Sequence, residues 1–341
     1  MKRALAFLLC ASGLATGGCL GAGVPADALP AQPIAIQYRT PEEARRRAES
    51  SAPAVDSVAA GTTRVGSKAR LYTDLDALGA FFADRLGVAS EPVREGRLAL
   101  LHPRTGALEL VEAARRGAVP QDWDAAHRRL LFAQPTPGSR DVQVYEYDRA
   151  EGSVRRITQG PALHTQACFW ADGRIVVTRI ETDRSAPVSR LQVSEPGGRG
   201  PFRDLTVGAT DHSPSCADSQ VAFVRVERGR SALFTVDLAG DERALGSGHQ
   251  PRWVGSGPWL VYTAVRRGRP QLFRIRGDGS ARARLGAAQR AEAWPTGSPD
   301  GRFVAYVSGE QPVRHQLYLR RFDGGGDRLL FDDGDADYPV W

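Results

Sequence analysis

A near-repeat of 39 to 46 residues runs through the last two-thirds of the chain and restricts its fold more than any single residue does. Each unit is marked by a short apolar strand. The five marking strands are Leu130–Phe132, Ile175–Val177, Val221–Phe223, Leu260–Tyr262 and Val304–Tyr306, with central residues 45, 46, 39 and 44 positions apart. Periods of this length, built from several short strands, are typical of the blades of a β-propeller.

Each unit continues with further strands in a constant order. The apolar strand is followed by one with alternating apolar and polar residues, such as Leu233–Val236 or Leu317–Arg320. This period of two is typical of a half-buried strand. A turn rich in Asp and Gly follows, such as Asp237–Asp241, and then a short fourth strand, such as Arg243–Leu245. The pattern predicts an all-β fold of four-stranded antiparallel blades.

A Trp or Cys recurs just before each apolar strand, where we expect the innermost strand of the blade. The five markers before these strands are Trp123, Cys168, Cys216, Trp253 and Trp294, and a sixth, Trp341, is the last residue of the sequence. The most complete unit places Ser298-Pro299-Asp300-Gly301 between its marker and its apolar strand. This unit resembles the TolB-like repeat, also called the WD40-like or PD40 repeat, and the resemblance covers residues 97 to 341. It implies a β-propeller.

The number of blades follows from what the repeats leave over at each end. Five units occupy residues 121 to 337, preceded by a hairpin of Leu98–Leu101 and Ala107–Val111 and followed by Tyr338–Trp341. An open ring would expose strand edges, which favour aggregation. A sixth blade made from the hairpin and the last strand would close the ring, so we expect six blades, with five or seven as alternatives.

The first residues have the pattern of a bacterial secretion signal. Lys2 and Arg3 precede an apolar core over residues 4 to 14, which is too short to span a bilayer. Thr16-Gly17-Gly18-Cys19 resembles a lipobox, which implies a signal peptide over 1–18 and lipidation of Cys19. The resemblance implies a periplasm-facing outer-membrane lipoprotein that contacts the membrane only through its lipid. Without lipidation, the chain would be secreted.

The region before the repeats divides into two parts. Residues 19–60 are rich in Ala and Pro and read as a tether that carries one short solvated helix, Pro41–Glu49. Residues 61–95 contain a helical pattern, Asp74–Leu86, with apolar residues on one side. We expect this helix to pack on the propeller, which would occupy residues 96–341.

The charge of the chain argues against nucleic acid as a partner. The formal net charge is +6 and falls to +4 without Lys2 and Arg3. Lys occurs only twice in the whole sequence, against 43 Arg, and the Arg residues are scattered between Asp and Glu over all the blades. A nucleic-acid-binding protein would concentrate positive charge on one face, so we interpret these charges as a solvated surface.

Three histidines share one position in successive units. His164, His212 and His249 each precede their marker residue by four positions, and Arg290 and Asp337 hold the same position before Trp294 and Trp341. We expect these five side chains to form an arc at one mouth of the central channel. The three imidazoles could bind a divalent transition metal if they converge on one ion. Alternatively, the position simply repeats a polar residue inherited by duplication.

Cys168 and Cys216 hold equivalent positions in successive units of an exported chain. An oxidising compartment permits a disulfide between them. However, equivalent residues on adjacent inner strands could lie beyond the span of a disulfide, about 7 Å between Cα atoms. Two buried free thiols are therefore the preferred prediction, with the bridge as the alternative.

These features favour a binding protein without catalytic activity or cofactor. It would recognise an envelope protein, a peptide or a glycan at the channel mouth. The sequence has no Gly-x-Ser-x-Gly motif, so it lacks the nucleophile elbow of an α/β-hydrolase. The alternative is a metal-dependent enzyme acting on polysaccharide. Oligogalacturonate lyases, which this chain resembles in its repeats, are propellers with a His-rich metal site at the channel mouth.

Overall fold

A computed structural model describes residues 24–50, 96–137, 141–181, 188–227, 230–286, 290–308 and 315–341. The strands form six antiparallel four-stranded sheets, so the chain is a six-bladed β-propeller. The prediction of six blades is confirmed. Cys19, the signal peptide and the predicted helix Asp74–Leu86 lie outside the described residues. No described helix has the length and apolar character needed to cross a membrane.

Blades 1 to 3 are contiguous in sequence. Blade 1 contains β4 (Val119–Trp123), β5 (Arg129–Pro135), β6 (Val142–Asp148) and β7 (Ser153–Arg156). Blade 2 contains β8 (Leu163–Phe169), β9 (Ile175–Glu181), β10 (Val188–Glu195) and β11 (Arg199–Asp204). Blade 3 contains β12 (Asp211–Cys216), β13 (Val221–Glu227), β14 (Arg230–Val236) and β15 (Glu242–Ser247).

Blades 4 and 5 are also contiguous, whereas blade 6 joins two distant parts of the chain. Blade 4 contains β16 (His249–Trp253), β17 (Trp259–Arg266), β18 (Arg269–Arg276) and β19 (Ala283–Arg284). Blade 5 contains β20 (Glu292–Gly297), β21 (Phe303–Ser308), β22 (Gln316–Arg321) and β23 (Asp327–Phe331). Blade 6 contains β24 (Asp335–Val340), β1 (Ile34–Arg39), β2 (Arg97–Leu101) and β3 (Leu108–Leu110), in this order.

The first strand of each blade lies innermost. These six strands contact one another in sequence around the ring, and β24 contacts β4, which closes it. Apolar clusters fill the spaces between neighbouring blades; one of them packs Leu131 and Val144 of blade 1 against Ala167 and Val177 of blade 2. We call the side where the chain enters the innermost strands the entry face, and the opposite side the exit face.

Blade 6 differs from the prediction in one strand. Its inner strand and its outer hairpin come from the predicted segments, but β1 lies between them and pairs with both β24 and β2. The prediction that residues 19–60 form a tether is therefore wrong for Ile34–Arg39. All six residues of β1 are buried, and the isolated position of this strand, without neighbouring repeats, hid it among Ala- and Pro-rich segments.

The residues before β1 cross the exit face, and those after it form the predicted short helix. Backbone carbonyls of Val24, Ala28 and Leu29 accept hydrogen bonds from arginine side chains of blades 5 and 6. After β1, the helix α1 (Pro41–Ser50) begins with a capping box. Thr40 N–H donates to Glu43 Oε2 at 2.9 Å, and Glu43 N–H donates to Thr40 Oγ1 at 3.3 Å.

Each innermost strand contains a bulge, and this bulge fixes which residues are equivalent. The ladder to the second strand shifts by one residue in all six blades. In four blades a non-glycine residue with positive φ at the bulge is followed by Pro. These dipeptides are Ser213-Pro214, Gln250-Pro251, Trp294-Pro295 and Tyr338-Pro339. Because bulges redirect side chains, they set which residues of the ring are accessible.

Candidate functional site

The bulges place six residues at one ring position, near the entry face. In each innermost strand, pairing with the second strand resumes at one residue after the bulge, and the position lies three residues before that residue. Its six occupants are Val119, His164, His212, His249, Ala293 and Asp337. The alignment of the three histidines and Asp337 therefore holds in three dimensions. The arc is nevertheless interrupted by apolar residues, since Val119 and Ala293 occupy the remaining two places.

Arg290 does not belong to this position, so that part of the prediction is wrong. Trp294 is the bulge residue of blade 5 and matches Gln250, whereas Gly297 matches the marker Trp253. A Cβ at Gly297 would lie 2.7 Å from the Cα of Val254 in blade 4, so no larger residue fits there. Arg290 precedes β20, is exposed, and lies over the Tyr318 ring at 4.3 Å.

His212 and His249 lie close enough to interact electrostatically and are both held neutral. His212 is fully buried, and this burial, together with His249, lowers its pKa to about 3. Burial also lowers the pKa of His249. Among the described residues, His212 Nε2 and His249 Nδ1 are buried without a hydrogen-bond partner. Buried orphan nitrogens of this kind are sites where ordered water is expected.

The three histidines do not converge into a metal site. Within the described parts of the chain, no group of three or more His, Cys, Asp or Glu side chains could hold a metal ion. His164 has its own partner, Gln143, whose Oε1 lies 3.2 Å from His164 Nδ1. The tri-histidine arrangement that the repeat suggested is therefore not formed by His164, His212 and His249.

Asp337 is enclosed by partners in blade 6 and does not line an open mouth. Its carboxylate forms a buried ion pair with Arg39 of β1 and a hydrogen bond with His315, which directly precedes β22. Arg39 also donates to Gln37 Oε1 at 2.9 Å. Since both Asp337 oxygens are engaged and the residue is only 2% exposed, it contributes to ring closure and not to ligand contact.

His164 borders a cleft between blades 1 and 2, with a volume of about 410 Å³. The cleft is bounded by the loop that enters β8 and by side chains from all four strands of blade 2. Its lining residues are Ile157, Thr158, Gln159, Pro161, Ala162, His164, Arg179, Gln192, Gly200, Pro201 and Phe202. The volume lies within the range of small-ligand sites. This cleft is a concave site that contains one of the predicted site residues, His164.

One glutamine holds the wall of the cleft in place. Gln143 Nε2 donates to the carbonyls of Gly160 at 3.1 Å and Ala162 at 3.0 Å. Its Oε1 accepts a hydrogen bond from Thr158 Oγ1 at 2.7 Å. Thr158 Oγ1 in turn accepts from Val144 N–H at 2.9 Å. This network fixes the loop entering β8 relative to blade 1, so the cleft is preformed.

The charge of the cleft is positive. Arg179 is the only lining residue with a side chain that is charged at neutral pH. Burial, with further contributions from Arg179 and Arg156, lowers the pKa of His164 to about 4. The Arg179 guanidinium forms an ion pair with Glu181 through Nη1. No carboxylate lines the cleft itself, so the site combines one cation with neutral polar groups.

A disulfide joins blades 2 and 3, where two free thiols were the preferred prediction. The structure links Cys168 of β8 to Cys216 of β12, with the Cα atoms 5.6 Å apart. Both residues follow the bulge, where the inner strands approach closely. The concern that equivalent residues of adjacent blades are too far apart is therefore wrong at this position, and the bridge fastens the blade that carries the cleft to its neighbour.

One inner-strand carboxyl was not predicted. Asp122 of β4 accepts a hydrogen bond from Phe169 N–H of blade 2 at 2.8 Å. Burial raises its pKa to about 7, against the opposing effects of Arg252 and of that hydrogen bond. Asp122 lies one residue before the marker Trp123, in the place that Ser215 and Thr296 occupy in other blades. The repeat could have revealed it, but an isolated Asp in a strand gives no signal of its partners.

Apart from His164, the residues that line the cleft were not predicted from the sequence, because they come from strands and a loop with no shared motif.

No protein-family model matches the chain. The Tol-Pal system protein TolB of Anaeromyxobacter dehalogenans strain 2CP-1 is 28% identical over 234 residues, which cover 64% of this chain and 52% of that protein. An uncharacterised protein of Agrobacterium fabrum is 29% identical over 125 residues, covering 32% of this chain and 43% of that protein. The chain thus spans about half the length of the curated relatives it matches.

Solved structures agree with these relatives in fold. TolB from Acinetobacter baumannii superposes with a TM-score of 0.61 at 14% identity, covering 79% of this chain and 72% of that one. A putative TolB from Agrobacterium tumefaciens has a TM-score of 0.58 at 20% identity, covering 69% and 88%. Sequence and fold together lead to one description: the chain is a six-bladed β-propeller that is similar to TolB proteins.

Proposed function

We propose that this propeller is a non-catalytic binding or scaffold protein of the bacterial cell envelope, which recognises a protein partner with its entry face. The observation that carries the proposal is the preformed cleft between blades 1 and 2, at the loop entering β8. A role in a Tol-Pal system is consistent with the names of the curated relatives. Export and lipidation at Cys19 would place the chain in the periplasm, at the outer membrane.

The cleft is suited to binding more than to catalysis. Its lining offers one cation, hydroxyl and amide groups and apolar walls, which are groups that orient a ligand. The polysaccharide-lyase alternative depended on three converging histidines. Because the described histidines do not form such a group, no observation favours that alternative, and we do not carry it forward.

Site-specific photo-crosslinking in living cells would test the proposal. A photoreactive phenylalanine replaces Gln159, an exposed residue at the cleft, in the full-length chain. The matched control replaces Glu151, which is exposed on the exit face of the same blade. We expect one envelope protein to be crosslinked from position 159 and not from 151, and the same purified protein to bind the chain directly. Equal adducts from both positions, or none from either, would overturn the proposal.

A further inference from the structure

We infer that the cleft between blades 1 and 2 binds a carboxylate-bearing segment of a peptide, with Arg179 pairing with the carboxylate and His164 accepting a hydrogen bond from the peptide. This inference rests on the proposed function and specifies the chemistry of the partner. It follows from the charge of the cleft, from the tautomer of His164 and from the acceptor groups that line the walls.

The hydrogen bonds of Gln143 define the tautomer of His164. Because Gln143 Nε2 donates to two carbonyl groups, its Oε1 is the atom that faces His164. An amide oxygen can only accept, so His164 Nδ1, at 3.2 Å from it, carries the hydrogen. In the neutral imidazole, Nε2 is then an acceptor. The cleft therefore presents a hydrogen-bond acceptor at His164 and requires a ligand with an N–H or O–H group there.

A second acceptor lies on the same blade. Gln192 Nε2 donates to Asp204 Oδ1 at 2.7 Å, so Gln192 Oε1 is the atom of this amide that remains for a ligand. Arg179 lies between these two acceptors in the sheet, because it pairs with His164 on one side and its strand pairs with that of Gln192 on the other. One cation is thus flanked by two neutral acceptors.

The cation remains competent to bind a ligand carboxylate. Arg179 contacts Glu181 through Nη1 alone in the described hydrogen bonds, and its side chain is 35% exposed. A guanidinium has five N–H donors and binds carboxylates in a bidentate manner. The nearby Arg156 adds positive potential, which also acts on His164. No carboxylate is among the lining residues, so a ligand carboxylate competes with Glu181 alone for the Arg179 guanidinium in the described ion pairs.

A peptide supplies the complementary groups in the required arrangement. Its backbone offers N–H donors on both sides of an acidic side chain, which match the two acceptors flanking Arg179. Pro161, Pro201 and Phe202 provide apolar walls for the aliphatic part of such a segment. A uronic acid carries the same carboxylate with hydroxyl donors, so the experiment below separates the two sources.

Isothermal titration calorimetry on the full-length chain tests the inference with three probes. These are an acetylated and amidated Ala-Glu-Ala tripeptide, the Ala-Gln-Ala analogue and trigalacturonate. We expect the acidic tripeptide to bind with a Kd near or below about 1 mM, and the neutral analogue at least about tenfold more weakly, because the ion pair is lost. Stronger binding of trigalacturonate than of the peptide would overturn the peptide assignment, and absence of binding by all three would overturn the assignment of a carboxylate site to the cleft.

The matched variants are Arg179→Gln and Arg190→Gln. Arg190 faces Arg179 directly across the ladder, is paired with Asp204 and does not line the cleft. We expect Arg179→Gln to raise the Kd of the acidic tripeptide at least about tenfold, and Arg190→Gln to change this Kd less than about twofold. Equal effects would contradict the inference. Thermal unfolding of both variants verifies that the fold is intact.

Two further readouts separate this inference from the broader proposal. Because His164 acts as a neutral acceptor, the Kd of the acidic tripeptide should be constant between pH 6 and 8; tighter binding at lower pH would contradict the acceptor role. If crosslinking at Gln159 succeeds while all three probes fail, the binding role stands and only the peptide-carboxylate assignment is lost. If crosslinking at Gln159 fails while the acidic tripeptide binds, the peptide-carboxylate assignment stands and the proposed recognition of an envelope protein is lost.

Discussion

Blades 3 and 4 and blade 6 fill the same ring position in opposite ways. In blades 3 and 4 the position holds His212 and His249, which burial keeps neutral. In blade 6 it holds Asp337, whose carboxylate contacts the Arg39 guanidinium and the His315 imidazole. Blades 3 and 4 are each built from one continuous stretch of chain, whereas blade 6 joins segments 298 residues apart.

The comparison indicates why the two regions differ. Within a contiguous blade, short turns already set the register of the strands. The side chain at the ring position then only has to occupy the space between neighbouring strands. Blade 6 has no such turn between β24 and β1, so its register depends on side chains. A buried ion pair is costly unless its geometry is satisfied, and we interpret the charges of Arg39 and Asp337 as a device that selects one register at the closure.

The largest expected effect comes from breaking the closure. The change Arg39→Met removes the guanidinium that pairs with the buried Asp337 carboxylate, and loss of one member of a buried pair typically costs about 3–5 kcal/mol. Urea unfolding should show this loss. The control Arg321→Gln removes an exposed pair with Asp323 and should cost less than about 1 kcal/mol. Similar effects of the two changes would contradict a special role for the closure.

The disulfide gives the next largest effect, on the other side of the ring. Cys168 and Cys216 are 48 residues apart in sequence, and cross-links of this span typically stabilise by about 2–4 kcal/mol. The double change of both residues to Ser should lower the free energy of unfolding by this amount. Dithiothreitol should lower the stability of the wild-type chain and leave the variant unchanged. Reaction of the Cys168 and Cys216 thiols with a thiol reagent in the denatured, unreduced protein would show that no bridge forms.

The neutral histidines predict an acid-dependent loss of stability. The folded pKa of His212 is about 3, below its ordinary value of 6.5. The contribution of neutral His212 to the free energy of unfolding is therefore complete above pH 6.5. As the pH falls toward the folded pKa this contribution is lost, and the loss reaches about 2 kcal/mol at pH 5.

Comparison with a His212 variant separates the effect of His212 on stability from that of Asp122. Because the pKa of Asp122 is raised, its protonation favours the folded state as the pH falls. The stability of His212→Gln should fall about 2 kcal/mol less than that of the wild type between pH 7.5 and 5, as measured by urea unfolding at each pH. Parallel pH profiles for the two proteins would show that His212 is protonated in the folded state.

The smallest expected effect concerns a hydrogen bond between adjacent inner strands, which occurs both between blades 3 and 4 and between blades 5 and 6. Ser215 Oγ accepts from Trp253 N–H at 3.1 Å, and Thr296 Oγ1 accepts from Trp341 N–H at 3.1 Å, so one hydrogen bond joins adjacent inner strands in both places. Ser215→Ala and Thr296→Val should each cost about 1–2 kcal/mol, because a buried N–H loses its partner. Thermal unfolding of both variants would compare them directly, and a much larger loss at Thr296 would mean that closure depends on this bond as well.

The sequence was sufficient for the fold and for much of the ring, because both are periodic. The apolar strands and markers predicted six blades, the innermost strands and the equivalence of His164 with His212 and His249. The error at Arg290 arose from taking Trp294 as the marker of blade 5. The recurring Pro at positions 214, 251, 295 and 339 would have aligned Trp294 with Gln250 instead.

The parts that could not be predicted depend on contacts between distant residues. Strand β1 has no repeat around it, and only its pairing with β24 and β2 identifies it. Likewise, the cleft depends on Gln143 holding the loop before His164, and the disulfide depends on the close approach of two inner strands after their bulges. None of these features has a local pattern, since each requires the completed ring.

The composition of blade 6 has a consequence for the order of folding. Blades 1 to 5 can form from neighbouring hairpins as the chain emerges, but β1 must wait for β24, which is 298 residues away at the Arg39–Asp337 pair. Forming such a distant contact requires ordering a very long loop, and it is therefore slow. The chain would remain an open arc of blades until its last strand is available, with the edge of β1 that pairs with β24 exposed to other chains.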